Sequence, residues 1–226
     1  MDYFDENYEQ KCLCVLVLDT SGSMNNGAIN DLNEGLSLFK EQIMQDPVAI
    51  DRLEIAIVTF NSDVEVIQEP CLFSNVSIPT LKATGQTQLV KAINQAQMIV
   101  EERKDYYKSS GIPYYRPWIV VMTDGEPYPA GQDVEGLSQK IHADVENKKY
   151  VYYMIGIGNE VQDSTLKKLS TDEFPPVRLD AVNFREFFTW LSASASVVVN
   201  DIIGDNHSNN SSIDWLNGFV IKTDAD

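Results

Sequence analysis

The chain has 226 residues, of which 43% are hydrophobic and 10% aromatic, so it can form one large α/β domain or two small ones with a substantial core. Its formal net charge is −17 and its isoelectric point is near 4.4, so a nucleic-acid backbone or an anionic membrane surface would repel it. We therefore expect neither nucleic-acid nor membrane partners. This charge would favour divalent cations or a basic protein as partners, although acidic residues that only keep the protein in solution explain most of it.

The N-terminus and the cysteines both predict a cytoplasmic protein. The first residues are acidic where a secretory signal is basic, and no apolar stretch reaches transmembrane length. An odd count of three cysteines without such a signal indicates a reducing compartment. Cys12 and Cys14 occupy alternate positions of a predicted strand, and we expect them to fill the core.

Apolar runs typical of strands alternate with helical patterns along most of the chain. The predicted strands are 13–18, 53–60, 64–67, 118–122, 151–157 and 177–179. The predicted helices are 29–43, 87–107, 134–147, 163–169 and 183–198. This order predicts a doubly wound α/β fold, with a mostly parallel sheet and helices on both faces. The short turn 61–63 predicts a hairpin that places one antiparallel strand at the sheet edge.

Three segments are expected: an N-terminal extension at 1–10, a domain at 11–199 and a C-terminal tail at 200–226. The tail begins with a linker rich in Asn and Ser and then carries large apolar residues, including Trp215 and Phe219. Because such residues would hardly be left in water, we expect the tail to dock back on the domain, with docking on a partner as the alternative.

Polar side chains follow the first predicted strand. Asp19, Ser21 and Ser23 place one carboxylate and two hydroxyls at alternate positions, and Gly22 lets the backbone turn tightly between them. In a twisted α/β sheet, ligands bind where such strands end. Carboxylate and hydroxyl oxygens are hard ligands of the kind that Mg²⁺ takes. This segment therefore predicts a metal site.

Two further elements extend this site if their strands neighbour the first one. Asp124 follows the strand at 118–122 in a Thr-Asp-Gly sequence, and Thr87 ends a loop that contains Gly85. Taken singly, the three hydroxyl residues are common helix caps and Asp124-Gly125 is an ordinary turn. Taken together, they predict a crevice lined by five oxygen groups. Its predicted metal ligands are Asp19, Ser21, Ser23, Thr87 and Asp124.

The combination Asp-x-Ser-x-Ser, a distant Thr and a distant Asp resembles the von Willebrand factor type A domain with its metal-ion-dependent adhesion site. The resemblance covers about residues 10–198 and implies Mg²⁺, or alternatively Mn²⁺ or Ca²⁺. It also implies that Ser21 and Ser23 bind the ion directly, and that Thr87 and the two aspartates divide direct and water-mediated contacts. A protein partner would complete the coordination with an Asp or Glu carboxylate.

A finer resemblance is to bacterial, cytoplasmic members of that family associated with tellurite resistance. The stretches that carry it are 32–36, 116–127 and 190–194. It implies a scaffold in a stress-response complex, with a kinase or phosphatase of the same operon among the candidate partners. The alternative within the family is a non-catalytic subunit of an ATP-driven machine such as a metal chelatase.

The residues that follow the metal-bearing segments are expected to form a rim for partner contact: Met24, Asn25, Glu126 and Tyr128. Tyr128 and its flanking prolines could instead only rigidify a loop, and Glu126 could help to hold the ion or repel a wrong partner.

An enzyme is the less favoured interpretation. It would make Asp19 a phosphate-accepting nucleophile. The motif of phosphatases of that type resembles Asp-x-Asp, however, and here Ser21 occupies the position of their acid/base carboxylate. We therefore expect a binding protein that is not an enzyme.

Overall fold

Six strands form one mixed sheet in the computed structural model, which describes residues 9–158, 161–179 and 184–200. The strands are β1 (Cys12–Asp19), β2 (Leu53–Phe60), β3 (Val64–Leu72), β4 (Trp118–Thr123), β5 (Val151–Ile157) and β6 (Val177–Leu179). Their order across the sheet is β3-β2-β1-β4-β5-β6, and every pair is parallel except β2 with β3. The predicted fold class, with its antiparallel edge strand, is confirmed.

The order of the strands reverses beside β1, and this reversal determines where a ligand can bind. The chain passes from β1 to β2 on one side and later returns to place β4 on the other side. In open α/β sheets the crevice lies at such a switch point, outside the carboxyl ends of the strands. The ends of β1 and β4 are therefore the expected location of a site.

Six helices cover the sheet in the described part of the chain. They are α1 (Ala28–Ile43), α2 (Pro47–Arg52), α3 (Leu89–Ser110), α4 (Val134–Glu146), α5 (Asp163–Lys168) and α6 (Phe184–Asn200). Helix α1 packs against α6, and α3 packs against α4. None of these helices is long and apolar enough to cross a membrane.

The inner strands are buried along their whole length, whereas β3 is only half-buried, as an edge strand should be. Cys12 and Cys14 lie in the core as free thiols. Between the helices, Gly35 of α1 faces the ring of Phe188 in α6. A Cβ on Gly35 would lie 2.3 Å from Phe188 Cδ2, so the close approach of the two helices depends on this glycine.

Two elements differ from the sequence prediction by more than three residues. β3 continues to Leu72, well beyond the predicted end at residue 67. Helix α2 was not predicted, because its six residues give too short a pattern; Asp46 caps it by accepting hydrogen bonds from the backbone N–H groups of Val48 and Ala49. The docking expected of the tail at 201–226, and most of the N-terminal extension, lie outside the described residues.

Candidate metal centre

The five predicted ligands lie at the carboxyl edge of the sheet. Leu18 of β1 pairs with Met122 of β4, so Asp19 comes next to Thr123 and close to Asp124 where the two strands end. Both aspartates are buried, with relative exposures of 0% and 1%. Two buried carboxylates at one switch point need compensating groups, because taking a charge out of water is costly.

Hydrogen bonds connect the residues after β1 to those after β4. The backbone N–H of Ser21 donates to Asp19 Oδ1 at 2.7 Å. The hydroxyl of Ser23 donates to Asp124 Oδ1 at 2.6 Å, and the Oγ atoms of Ser21 and Ser23 are 3.0 Å apart. Either serine hydroxyl could be the donor between these two Oγ atoms. The result is a continuous chain of oxygen atoms across the crevice.

Thr87, two residues before α3, completes the group. A Cβ placed on Gly125 would lie 3.6 Å from both Ser23 Oγ and Thr87 Oγ1, so the two hydroxyls approach the same point from different segments. Thr87 is buried, with a relative exposure of 6%. The structure thus brings all five predicted side chains together.

The loop before Thr87 is held against the segment that follows β1. Gly22 N–H donates to the carbonyl of Gly85 at 3.0 Å, and Thr84 N–H donates to the carbonyl of Thr20 at 2.8 Å. Gly85 has φ +76°, and its Cβ would lie 2.6 Å from Ser62 Oγ, so a larger residue does not fit there. Gly22 begins the tight turn predicted for it, a 3-10 helix at Gly22–Asn26, without a positive φ, and it also permits this close backbone approach.

Burial raises the pKa of Asp19 to about 6. The hydrogen bonds from Ser21 and Thr123 act against this rise, and the neighbouring charge of Asp124 adds to it. A cation between the two carboxylates would act against this rise of the pKa, since an opposite charge favours the ionised form.

Sequence reasoning missed Thr123 as a site residue. Its hydroxyl donates to Asp19 Oδ2 at 2.5 Å, and the N–H of Gly125 donates to the same hydroxyl oxygen at 3.3 Å. Thr123 therefore fixes the orientation of the Asp19 carboxylate. Its position directly before Asp124 was visible in the sequence, but its partner was not, because the pairing of β1 with β4 is a property of the fold.

The four predicted rim residues have different environments. Tyr128 is 57% exposed, and Asn25 is exposed, with its Nδ2 donating to the carbonyl of Ala83 at 3.2 Å. Met24 is fully buried in the hydrophobic core, so its assignment to the rim is wrong for this structure, because a side chain without exposed surface cannot contact a partner.

Glu126 is engaged within the domain. Its carboxylate accepts hydrogen bonds from the N–H of Gln162 and the hydroxyl of Thr165, both at 2.6 Å. These contacts connect the loop after β4 to the start of α5, which is a role inside the fold that the sequence did not indicate.

The donor set fits a hard dication. It consists of two carboxylates and three hydroxyls, all oxygen ligands of the kind that Mg²⁺, Mn²⁺ and Ca²⁺ accept. Within residues 9–158, 161–179 and 184–200, no group of three or more His, Cys, Asp or Glu side chains is placed to hold a metal ion. The cluster of Ser21, Ser23 and Thr87 adds hydroxyl oxygens to the two carboxylates.

The strand order and the oxygen-lined crevice define a doubly wound α/β domain with a site at the ends of β1 and β4. Residues 14–188 match the model of the von Willebrand factor type A domain, and the chain therefore belongs to that family. No curated protein matches the chain.

Several solved structures have the same fold. The von Willebrand factor type A protein from Catenulispora acidiphila is 16% identical, with a TM-score of 0.54 over 83% of this chain and 43% of that one. The vWF domain of the type V pili tip protein Mfa5 from Porphyromonas gingivalis is 12% identical, with a TM-score of 0.62 over 87% and 99%. The pilus adhesin SpaC from Lactobacillus rhamnosus GG is 12% identical, with a TM-score of 0.63 over 83% and 30%.

These likenesses establish the fold. The chain spans less than half the length of the Catenulispora protein and less than a third of SpaC, whereas it spans nearly the whole Mfa5 domain. The matched unit is therefore a single domain that other proteins carry as one part of a longer chain.

Proposed function

We propose that this domain binds one divalent cation and uses it to hold a protein partner. The residues that would hold the ion are Asp19, Ser21, Ser23, Thr87 and Asp124, with Mg²⁺ as the first candidate and Mn²⁺ or Ca²⁺ as alternatives. The observation that carries the proposal is the meeting of these five oxygen-bearing side chains from three separate segments. A bound ion would supply an electrophilic position that accepts an Asp or Glu carboxylate of the partner.

Two further observations support a role in protein binding. Tyr128, an aromatic residue of the kind enriched at interfaces, is exposed beside the site. The similar structures include a pilus adhesin, whose name describes attachment. The exposed Tyr128 supports a binding surface at this edge of the sheet.

We propose that this chain binds a partner and does not catalyse a reaction. Ser21 occupies the position where a phosphohydrolase with an Asp nucleophile would need its acid/base carboxylate, and Ser21 is engaged with Ser23 and Asp19. On the resemblance of its sequence to tellurite-resistance proteins, we propose a partner in a cytoplasmic stress-response complex, with a kinase or phosphatase of the same operon as the first candidates to examine.

Calorimetric titration of Mg²⁺ into metal-stripped protein tests the ion site. Asp124→Asn should abolish or severely weaken binding, because it removes a buried charge from the ligand set. Asp63→Asn is the matched control, since Asp63 is an exposed carboxylate in the turn after β2 and the variant changes the net charge equally. Equal Mg²⁺ affinities in these two variants would rule out the site.

Selection from a library of short peptides in the presence of Mg²⁺ tests the partner chemistry. We expect the selected peptides to share an Asp or Glu that cannot be replaced by Asn or Gln. Their binding should be lost in a chelator and on Asp124→Asn. Peptides that bind equally well with the chelator present would show that the domain recognises partners through another surface.

A further inference from the structure

Gln132 lies between β4 and α4 and contacts the segment that carries Thr87. Its Nε2 donates to the backbone carbonyl of Thr87 at 2.8 Å, and its Oε1 accepts from the N–H of Val90 at 3.0 Å. Nε2 also lies 3.4 Å from the carbonyl of Pro129. These partners determine the orientation of the amide, because the reverse orientation would set donor against donor and acceptor against acceptor.

The contact with Val90 gives α3 a cap from another part of the chain. The first four N–H groups of a helix have no partner within the helix. Gln88, at the N-cap position of α3, makes no side-chain capping hydrogen bond. Gln132 therefore accepts a hydrogen bond that a residue at the N-cap would ordinarily accept.

The backbone of Thr87 is held on both sides by the same loop. Thr87 N–H donates to the carbonyl of Tyr128, and Tyr128 N–H donates to the carbonyl of Thr87, each at 3.0 Å. The Gln132 amide adds a third hydrogen bond to this pair. Since the loop begins at Asp124, the position of the Thr87 hydroxyl relative to Asp124 depends on these three contacts.

We propose that Gln132 is a positioning residue of the metal site. Its amide holds the Thr87 hydroxyl in place relative to Ser23 and Asp124 by joining the start of α3 to the loop after β4. Gln132 does not itself contact the ion. Groups that orient ligands in this way raise metal affinity, because the ligand side chains lose less conformational freedom when the ion binds. This inference rests on the proposed metal site and adds to it a residue that the family pattern of Asp, Ser and Thr does not include.

A double-mutant cycle tests the inference. Mg²⁺ affinity is measured by calorimetry for the wild type, Gln132→Met, Thr87→Val and the double variant. Methionine keeps the length of the glutamine side chain and removes its donor and acceptor, while valine keeps the shape of threonine without its hydroxyl. Gln139→Met is the matched control, because Gln139 is an exposed glutamine on α4.

Gln132→Met should weaken Mg²⁺ binding by roughly 3- to 10-fold, the range expected for one or two neutral hydrogen bonds, and Gln139→Met should not. In the Thr87→Val background the same change should have little further effect, because no hydroxyl remains to be positioned. A purely structural role of Gln132 would instead give the same loss in both backgrounds and would overturn the inference. So would a Gln132→Met affinity within twofold of the wild type.

A second measurement needs no metal. In the metal-free protein, Gln132→Met should accelerate amide hydrogen exchange at Val90 and Tyr128, whose N–H groups depend directly or indirectly on this amide. Unchanged exchange at both amides would contradict the proposed contact. A wild type that binds no Mg²⁺ would overturn the proposed function and this inference together, whereas failure of the cycle alone would overturn only the inference.

Discussion

The hydroxyl of Thr123 donates a 2.5 Å hydrogen bond to Asp19 Oδ2 and so joins the last residues of β4 and β1. The other oxygen of the Asp19 carboxylate accepts from the N–H of Ser21. A buried carboxylate is thus held by one contact from its own segment and one from the neighbouring strand. The two ends of the crevice are fixed relative to each other before any ion binds.

Thr123→Val should destabilise the metal-free protein, because a buried carboxylate loses a donor. The expected loss in the free energy of unfolding is about 1–3 kcal/mol, measured by urea denaturation in a chelator. Thr123→Ser keeps the hydroxyl and is the control. Equal free energies of unfolding for the valine and serine variants would mean that this hydrogen bond does not stabilise the protein.

The raised pKa of Asp19 predicts how the stability of the metal-free protein depends on pH. Its folded-state pKa of about 6 lies above the ordinary aspartate pKa of 3.8, so the folded state binds more protons between these pH values. The free energy of unfolding should therefore fall as the pH rises from about 4 to about 6, with a contribution on the order of 3 kcal/mol. Urea denaturation of the wild type and Asp19→Asn at several pH values isolates this contribution. Parallel pH profiles for the two proteins would contradict it.

The same pKa predicts that protons compete with the metal. Mg²⁺ binding requires the ionised form of Asp19, so the affinity should fall by about tenfold for each pH unit below about 6 and level off above it. Calorimetry at pH 5, 6 and 7.5 measures this dependence. An affinity that did not change between pH 5 and pH 7.5 would mean that Asp19 is not a ligand whose charge the ion needs.

Gly35→Ala tests the packing of α1 on α6. The added methyl group would lie 2.3 Å from a carbon atom of Phe188, which is fully buried and has little room to move. Overpacking of this kind costs about 1–3 kcal/mol of unfolding free energy, although alanine is the better helix former. Ser37→Ala, at an exposed position of the same helix, should change stability by less than about 0.5 kcal/mol. Thermal or urea unfolding of both variants measures whether only Gly35→Ala lowers the free energy of unfolding.

Much of the fold could be predicted from the sequence because its strands are buried on both faces. The predicted bounds of β2, β5 and β6 match the structure, because an apolar run between turn residues leaves little choice of where the strand begins and ends. Helix α2 was missed because six residues show no helical period, and its Asp-Pro start reads equally well as a turn.

The proximity of Asp19 and Asp124 could also be predicted, because residues at the ends of neighbouring parallel strands must meet at one edge. The contacts that surround the candidate ligands could not be predicted. The partners of Thr123, Glu126 and Gln132 lie 104, 39 and 45 residues away along the chain. Met24 was misplaced because its burial depends on packing against the core and not on its nearness to Ser23 in the sequence.

Diffraction from crystals grown with Mn²⁺, with data collected at the manganese absorption edge, would show directly whether the crevice holds a divalent cation. We expect one strong anomalous peak within about 2.5 Å of oxygen atoms from the group formed by Asp19, Ser21, Ser23, Thr87 and Asp124. The peak should be absent in crystals of Asp124→Asn grown in the same way. Crystals in which this crevice holds no manganese, while the ion is bound elsewhere on the protein, would contradict the account.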